Sequence, residues 1–168
     1  LVRSGSSSVL VDCGLFQGLK ALRLRNWEPL GVALDSIDAV VVTHAHIDHI
    51  GYLPRLVRSG FRGPIYATAA TIDLAEIMLA DAAHLQEEDA EYANRKGFSK
   101  HTPALPLFDT EDARATQKLF RALPLHQKVE LGPELSVRLR NAGHILGSAT
   151  VELAIGGKRP HTAVFSGD

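Results

Sequence analysis

Four side chains of types that bind metal ions, His44, His46, Asp48 and His49, fall within six residues of this sequence. They directly follow the run 39–43, which is rich in valine, too short for a helix and typical of a buried strand. Imidazole nitrogens and carboxylate oxygens are common zinc ligands. In an extended turn, residues two apart point the same way, so His44 and His46 can bind one ion and Asp48 and His49 a second. The alternative, a charged loop whose histidines cluster by chance, is the weaker interpretation.

Two later segments offer ligands that this cluster lacks. His144 lies between glycines in the segment 141–148, and Asp168 follows the strand-like run 162–165. A zinc ion held by His44 and His46 needs a third protein ligand while keeping a position open, which makes His144 the natural candidate. The carboxylate of Asp168 can bridge two cations. Taken alone, each of the two would be an ordinary turn residue, and only the histidine cluster favours ligation.

Strand and helix patterns alternate early in the chain and then give way to strands. We expect strands at 9–11, 39–43, 65–67, 127–131, 134–140, 149–155 and 162–165, and helices at 50–59, 70–95 and 109–122. Along the longest helix, the apolar residues that fall near one face are Leu74, Ile77, Met78, Leu85 and Tyr92. This order of elements favours an α/β sandwich with mixed sheets over a doubly wound parallel sheet.

Composition narrows the partners and the cellular compartment. Eighteen Lys+Arg against 19 Asp+Glu give a net charge of −1, which neither demands nor excludes a polyanionic partner. Cys13 is the single cysteine, so no intrachain disulfide is expected, and we interpret it as a small buried residue. No apolar run approaches the roughly 20 residues of a membrane span. We therefore expect a cytoplasmic protein with no membrane partner. Because the sequence starts at Leu1 and stops just after a strand, we expect a fragment of a longer protein.

The residues of the cluster carry a family resemblance. His44-Ala45-His46-Ile47-Asp48-His49 matches the H-x-H-x-D-H signature of the metallo-β-lactamase superfamily, and Asp12, His144 and Asp168 stand where its first, third and fourth motifs fall. The chain also resembles the β-CASP branch of this superfamily in the sequences of four segments, 12–18, 43–54, 84–95 and 142–149. That branch contains RNA-processing nucleases related to the cleavage and polyadenylation specificity endonuclease. The resemblance implies an α/β fold, the metallo-β-lactamase αββα sandwich. Residues 1–168 would form its N-terminal part, ending before the β-CASP domain and the C-terminal return.

The resemblance also implies roles for these residues. One metal would be bound by His44, His46 and His144, and a second by Asp48 and His49, with Asp168 bridging the two. Asp12 would orient the metal-binding loop without binding metal itself. The implied cofactor is a pair of Zn²⁺ ions, with Mn²⁺ as the alternative. The family's last metal ligand and its general acid would lie beyond Asp168, so isolated residues 1–168 are expected to be nearly inactive.

The leading hypothesis is a zinc-dependent ribonuclease, in which a metal-bridging hydroxide attacks the phosphorus of an RNA phosphodiester and Asp48 helps to orient it. Single-stranded RNA is the favoured partner, and a homo-oligomer is left open. The alternatives are a hydrolase of thioesters, lactones or lactams, and a catalytically silent scaffold subunit of an RNA-processing complex. The sequence does not distinguish an RNA substrate from a DNA substrate, or an endonuclease from an exonuclease. Arg55, Arg58 and Arg62 either flank a phosphate track or are ordinary surface charge.

Overall fold

The computed structural model describes residues 1–168 as three packed layers: a layer of helices, a five-stranded sheet and a four-stranded sheet. The helices are α1 Lys20–Leu24, α2 Ile47–Ile50, α3 Leu53–Arg58, α4 Ala69–Lys96 and α5 Thr110–Gln117. The strands of the first sheet are β1 Val2–Ser4, β2 Ser7–Val11, β3 Ala39–Val41, β4 Ile65–Ala67 and β5 Phe120–Ala122. Those of the second sheet are β6 Lys128–Gly132, β7 Leu135–Asn141, β8 Ala149–Ile155 and β9 His161–Phe165.

The first sheet separates two hydrophobic cores. Its strand order is β1-β2-β3-β4-β5, in which β2 to β5 run parallel to one another and β1 is antiparallel to β2. Alternate residues of the β3 segment point to opposite faces. Val40 and Val42 pack with the helices, whereas Ala39 and Val41 pack against the second sheet. This two-sided burial explains the unbroken apolar run in the sequence.

The second sheet is an antiparallel meander in the order β6-β7-β8-β9. Leu135, Val137 and Leu139 of β7 face the first sheet and are buried. The opposite face carries charged side chains, including Arg140, whose Nε lies 3.2 Å from Oε1 of Glu152. The fold class predicted from the sequence, α/β with a mixed sheet, is confirmed, with three of the four αββα layers formed by these residues.

The longest helix, α4, lies where the sequence predicts it but buries a different face. The side chain of Thr68 caps its start by accepting a hydrogen bond from Thr71 N at 3.2 Å, and Gly97 ends it in a left-handed conformation. Of the five apolar residues noted on one face, Leu74 packs against the core, whereas the other four are exposed, Ile77 by 65%. The buried residues are small ones and a single leucine: Thr71, Ala75, Leu79, Ala83, Ala90 and Ala93. Small side chains let the helix approach the sheet closely.

None of the helices is both long and apolar enough to cross a membrane.

Two other helix boundaries differ from the sequence expectation. The helix expected over 109–122 ends at Gln117, because Phe120–Ala122 pairs in parallel with β4 and Phe120 is buried beside Ile65. The helix expected over 50–59 is formed as α3, and Ile50 instead ends the separate short helix α2. Pro54 lies in the first turn of α3, and its missing N–H prevents a continuous helix from α2.

The burial of α4 can be tested with one buried and one exposed apolar residue. Leu79→Ala should lower the free energy of unfolding by about 2–5 kcal/mol, since it leaves a cavity in the core. Ile77→Ala should change it by less than about 0.5 kcal/mol, because the side chain is mostly solvated. Urea unfolding followed by circular dichroism measures both. An equal loss for the two variants would contradict the observed orientation of the helix.

Candidate metal centre

Four of the six predicted ligands meet because several strands end at one edge of the molecule. Asp12 follows β2, and the segment 43–49 follows β3 at the carboxyl ends of two paired parallel strands. His144 lies in the β7–β8 connection and Asp168 follows β9 in the second sheet. The two sheets are joined at this edge by a hydrogen bond from Ala149 N to Thr43 O of 2.8 Å.

Four side chains form a group able to bind a metal ion, and their nearest ligand atoms all lie within 4.8 Å of one another: His44, His46, His144 and Asp168. Nδ1 of His46 is 3.0 Å from Nε2 of His44 and 3.2 Å from Nε2 of His144. Ligands in a tetrahedral zinc site with bonds of 2.0–2.1 Å lie about 3.3 Å apart. Oδ2 of Asp168 is 3.9 Å from Nε2 of His44 and 4.0 Å from that of His144. The donor set and its spacing therefore fit a divalent metal such as zinc.

Asp12 is hydrogen-bonded to two residues of the histidine loop, Thr43 and His49. Its carboxylate accepts hydrogen bonds from Thr43 N at 2.7 Å, from Thr43 Oγ1 at 2.8 Å and from His49 Nδ1 at 2.8 Å. Because the one hydroxyl hydrogen of Thr43 goes to Asp12, Thr43 Oγ1 accepts the hydrogen on His44 Nδ1, 2.9 Å away. In the neutral form of each ring the hydrogen therefore lies on Nδ1. The lone pair of that form lies on Nε2, the ring nitrogen that faces Asp168 in both residues.

The protonation of His44 agrees with this arrangement. The residue is buried, and burial lowers the pKa of its imidazole below the usual value. The neighbouring rings of His49 and His46 lower the pKa further, while Asp12 and Asp168 act in the opposite direction. The neutral ring, which is the form that binds a metal, is therefore favoured near neutral pH.

Gly14 allows the loop after β2 to lie directly on the metal-binding loop. A Cβ on Gly14 would lie 1.6 Å from the carbonyl oxygen of Asp48, so no side chain fits there. Backbone hydrogen bonds join the two loops on either side of this contact, from Cys13 N to His49 O at 2.8 Å and from Leu15 N to Ile47 O at 3.1 Å. Cys13 is buried as expected, and burial raises the pKa of its thiol to about 12, so it stays protonated.

Gly167 gives Asp168 its access to the group. Its backbone is left-handed, with φ at +68°, and a Cβ would come within 3.1 Å of Thr43. The chain can therefore pass close to Thr43 before Asp168 turns towards the histidines. The glycine of the Ser166-Gly167-Asp168 tripeptide is therefore needed for the close passage of the chain beside Thr43, which the sequence pattern did not reveal.

The structure places the two residues predicted for a second metal less tightly. His49 lies at the rim of the group, with Nε2 3.4 Å from Oδ1 of Asp168. Asp48 is exposed in the first turn of α2, lies outside the group of four, and makes no hydrogen bond or ion pair through its carboxylate. The roles of both in metal binding stay predictions.

The three arginines considered for a phosphate track are mainly engaged within the protein. Arg55 donates to the carbonyl oxygens of Leu107 and Trp27, and Arg62 donates to two nearby carbonyls. Arg58 pairs with Asp112 at 3.2 Å. These contacts favour a structural role for the arginines.

Sequence reasoning missed three threonines near the predicted ligands: Thr43, which bonds to Asp12 and His44, and Thr68 and Thr71, which bond to the carbonyl oxygen of Gly147. A polar residue at the end of an apolar strand, just before the histidines, was the available signal for Thr43. Thr68 and Thr71 stand three apart at a helix start, a spacing that places both hydroxyls on one side. Their contact with the His144 loop could not be read from that spacing.

Comparison with known proteins identifies the family. A sequence profile described as "Metallo-beta-lactamase superfamily" matches residues 1–126. The chain belongs to this superfamily. Its fold agrees with a subclass B3 metallo-beta-lactamase of Bradyrhizobium japonicum, with a TM-score of 0.55 and 18% identity over 98% of this chain and 53% of that one. At this identity the likeness supports the fold of this metallo-beta-lactamase superfamily member and nothing finer.

Two curated relatives are more similar in sequence. "Ribonuclease TTHA0252" of Thermus thermophilus is 41% identical over 168 residues, covering all of this chain and 34% of the relative. "Transcription termination factor FttA" of Cenarchaeum symbiosum is 36% identical over 172 residues, covering all of this chain and 24% of the relative. The superfamily member described here thus spans about a third and a quarter of the length of these two proteins.

The supporting role of Asp12 predicts a specific loss. Asp12→Asn replaces one carboxylate oxygen by an NH₂ group that cannot accept a hydrogen. Either the Thr43 N–H then loses its acceptor, or the Thr43 hydroxyl and His49 Nδ1 both lose theirs. We expect zinc affinity to fall by about 10–100-fold, as is usual when a group that orients a ligand is lost. Competition with a chromophoric chelator measures this affinity.

Asp38→Asn is the matched control, because Asp38 accepts a 2.7 Å hydrogen bond from Ser8 N but touches no predicted ligand. It should cost stability without changing zinc affinity. Equal zinc affinities for the two variants would contradict the role of Asp12.

Proposed function

We propose that this chain carries most of the metal centre of a zinc-dependent ribonuclease. The observation that supports this most directly is the convergence of three imidazole nitrogens, from His44, His46 and His144, beside the carboxylate of Asp168. The curated relatives support RNA as the substrate, because one of them is named a ribonuclease and the other a transcription termination factor. The solved lactamase supports the fold only, so an acyl substrate has no comparable support.

The residues fit zinc by chemistry as well as by spacing. Three neutral imidazoles and a carboxylate are typical zinc donors, and the hydrogen bond on His44 Nδ1 leaves Nε2 free to bind. When bound, zinc supplies a Lewis acid and lowers the pKa of a coordinated water. His44, His46 and His144 would hold one ion.

Asp168 links this group to His49. One carboxylate oxygen faces His44 and His144, and the other lies 3.4 Å from Nε2 of His49. This arrangement supports the expected bridging role between two ions, the second bound by His49 and Asp48. Asp48 would contribute its exposed carboxylate and help to orient the attacking water. Binding of two ions rather than one, and of zinc rather than manganese, are part of the proposal.

A basic segment beside the centre supports a nucleic-acid substrate. Residues 16–27 hold Lys20, Arg23 and Arg25 with no acidic residue, and Phe16 and Trp27 at the segment ends are about half exposed. The segment starts next to Leu15, which is hydrogen-bonded to the metal-binding loop.

The two ends of this basic segment are held together. The side-chain amide of Asn26 bonds to both the N–H and the carbonyl of Phe16, at 2.9 and 3.0 Å. Basic side chains next to aromatic rings suit single-stranded RNA, since the cations bind phosphates and bases stack on the rings. We therefore propose that single-stranded RNA approaches the centre along this segment.

Loss of a metal ligand tests the function in the full-length protein. His144→Ala should lower zinc content, and RNA cleavage should fall by at least about 100-fold, since a bound metal stabilises the transition state by several kcal/mol. Elemental analysis and cleavage of a labelled RNA are the measurements. His101→Ala, which removes an exposed histidine far from the ligand group in sequence, is the control and should leave both unchanged.

Three outcomes would contradict the proposal. Full-length protein without bound metal would indicate a silent scaffold, and cleavage of thioesters or lactams but not RNA would indicate an acyl hydrolase. Undiminished RNA cleavage by His144→Ala would place the active centre elsewhere.

The basic segment generates a separate prediction about salt. For single strands, each phosphate that a protein neutralises adds about 0.7 to the magnitude of the slope of log K against log salt. Lys20→Ala combined with Arg23→Ala should therefore weaken RNA binding and reduce that magnitude by about 1.4. Filter binding of single-stranded RNA at several salt concentrations measures it.

The matched control for the salt experiment is Lys158→Ala combined with Arg159→Ala. These residues lie in the turn between β8 and β9, at the opposite end of the sheet from Asp168. The control should leave the slope unchanged. If both double variants reduced the slope equally, RNA would not follow the proposed path.

A further inference from the structure

The loop that carries His144 is shaped by hydrogen bonds to the side chain and the carbonyl of Ser148. Ser148 Oγ accepts from the N–H of His144 at 3.0 Å and from that of Ile145 at 3.2 Å. Ser148 O accepts from Ala142 N at 3.1 Å and so closes the loop. The loop has little packing of its own, because His144 is exposed and Leu146 is 72% exposed.

His144 differs from the other ring ligands in how its imidazole is held. Nδ1 of His44 is bonded to Thr43, and Nδ1 of His49 is bonded to Asp12. Nδ1 of His144 has no hydrogen-bond partner in the protein, and its Nε2 faces His46. The position of this imidazole therefore depends on where its loop is anchored.

Two buried threonine hydroxyls anchor that loop to the start of α4. Thr71 Oγ1 donates to the carbonyl oxygen of Gly147 at 2.9 Å, and Thr68 Oγ1 donates to the same oxygen at 2.6 Å. Both threonines are buried, and Thr71 is fully so. Gly147 has φ at +80°, and a Cβ there would lie 2.5 Å from Thr71 N. The loop thus lies so close to the helix start that no side chain fits at Gly147.

We propose that Thr71, assisted by Thr68, is a positioning residue for His144, acting through the carbonyl of Gly147. The two hydroxyls fix the position of Gly147 relative to α4. Ser148, the next residue, then fixes His144 because its Oγ accepts a hydrogen bond from the N–H of His144. This inference rests on the proposed metal centre and extends it: a helix that supplies no ligand determines where the third imidazole lies.

The test removes one hydroxyl while keeping the shape of the side chain. In the full-length protein, Thr71→Val should lower zinc affinity by about 10–100-fold, measured by chelator competition on metal-free protein. Thr71→Ser, which keeps the hydroxyl, should restore it. Thr116→Val is the matched control, since Thr116 is also fully buried and its Oγ1 donates to a carbonyl, that of Asp112, at 2.8 Å.

Stability and zinc affinity separate positioning from a purely structural role. Both valine variants should lower the melting temperature of the metal-free protein, but only Thr71→Val should weaken zinc binding. Equal zinc affinity in the two valine variants, or failure of Thr71→Ser to restore binding, would overturn the inference.

His144→Ala, measured in parallel, distinguishes the two levels of the proposal. If His144→Ala weakens zinc binding and Thr71→Val does not, the positioning role alone is wrong. If neither does, the metal centre is wrong and the positioning role fails with it.

Discussion

The carboxylate of Asp12 receives three hydrogens, two from Thr43 and one from His49, and the orientation of the histidine loop depends on them. Asp12 adopts a left-handed backbone, with φ at 56°, while its N–H still bonds to Val41 O at 2.9 Å. A left-handed residue costs about 1–2 kcal/mol, and each hydrogen bond to a charged group contributes about 1.5–3 kcal/mol. The three bonds therefore outweigh the cost of the conformation that makes them.

The same hydrogen bonds determine the chemistry of the rings. A neutral imidazole has one donor and one acceptor nitrogen, so a partner on Nδ1 decides that Nε2 carries the lone pair. His44 and His49 are treated alike in this respect, through Thr43 and Asp12. His144 comes from the other sheet and is aligned by its loop instead. On the first sheet the hydrogen bonds thus go to the imidazole rings themselves, whereas on the second they go to the backbone of the loop that carries the ring.

The superfamily could be predicted because its motif at His44–His49 is local in sequence, and the convergence of His144 and Asp168 on that motif could be predicted because both follow recognisable strands. What the sequence did not reveal depends on contacts between distant segments. Ile77 and Leu85 fall near one apolar face of α4 in the sequence, yet both are exposed, and the residues that the helix buries are mostly alanines. Phe120 looked helical until its pairing with β4 placed it in a strand. The Thr68 and Thr71 hydroxyls acquire their partner only through Gly147, 79 and 76 residues further along the chain.

The contact at Gly14 has a consequence for anyone who would transplant this centre. Because the backbone of Gly14 lies directly against that of Asp48, and hydrogen bonds flank the contact, the two loops have a single joint shape. If only the histidine loop were copied onto another scaffold, it would lose the backbone contacts with the loop after β2 that hold its conformation. The smallest portable unit is the pair of loops together, carried on two neighbouring parallel strands with the same register.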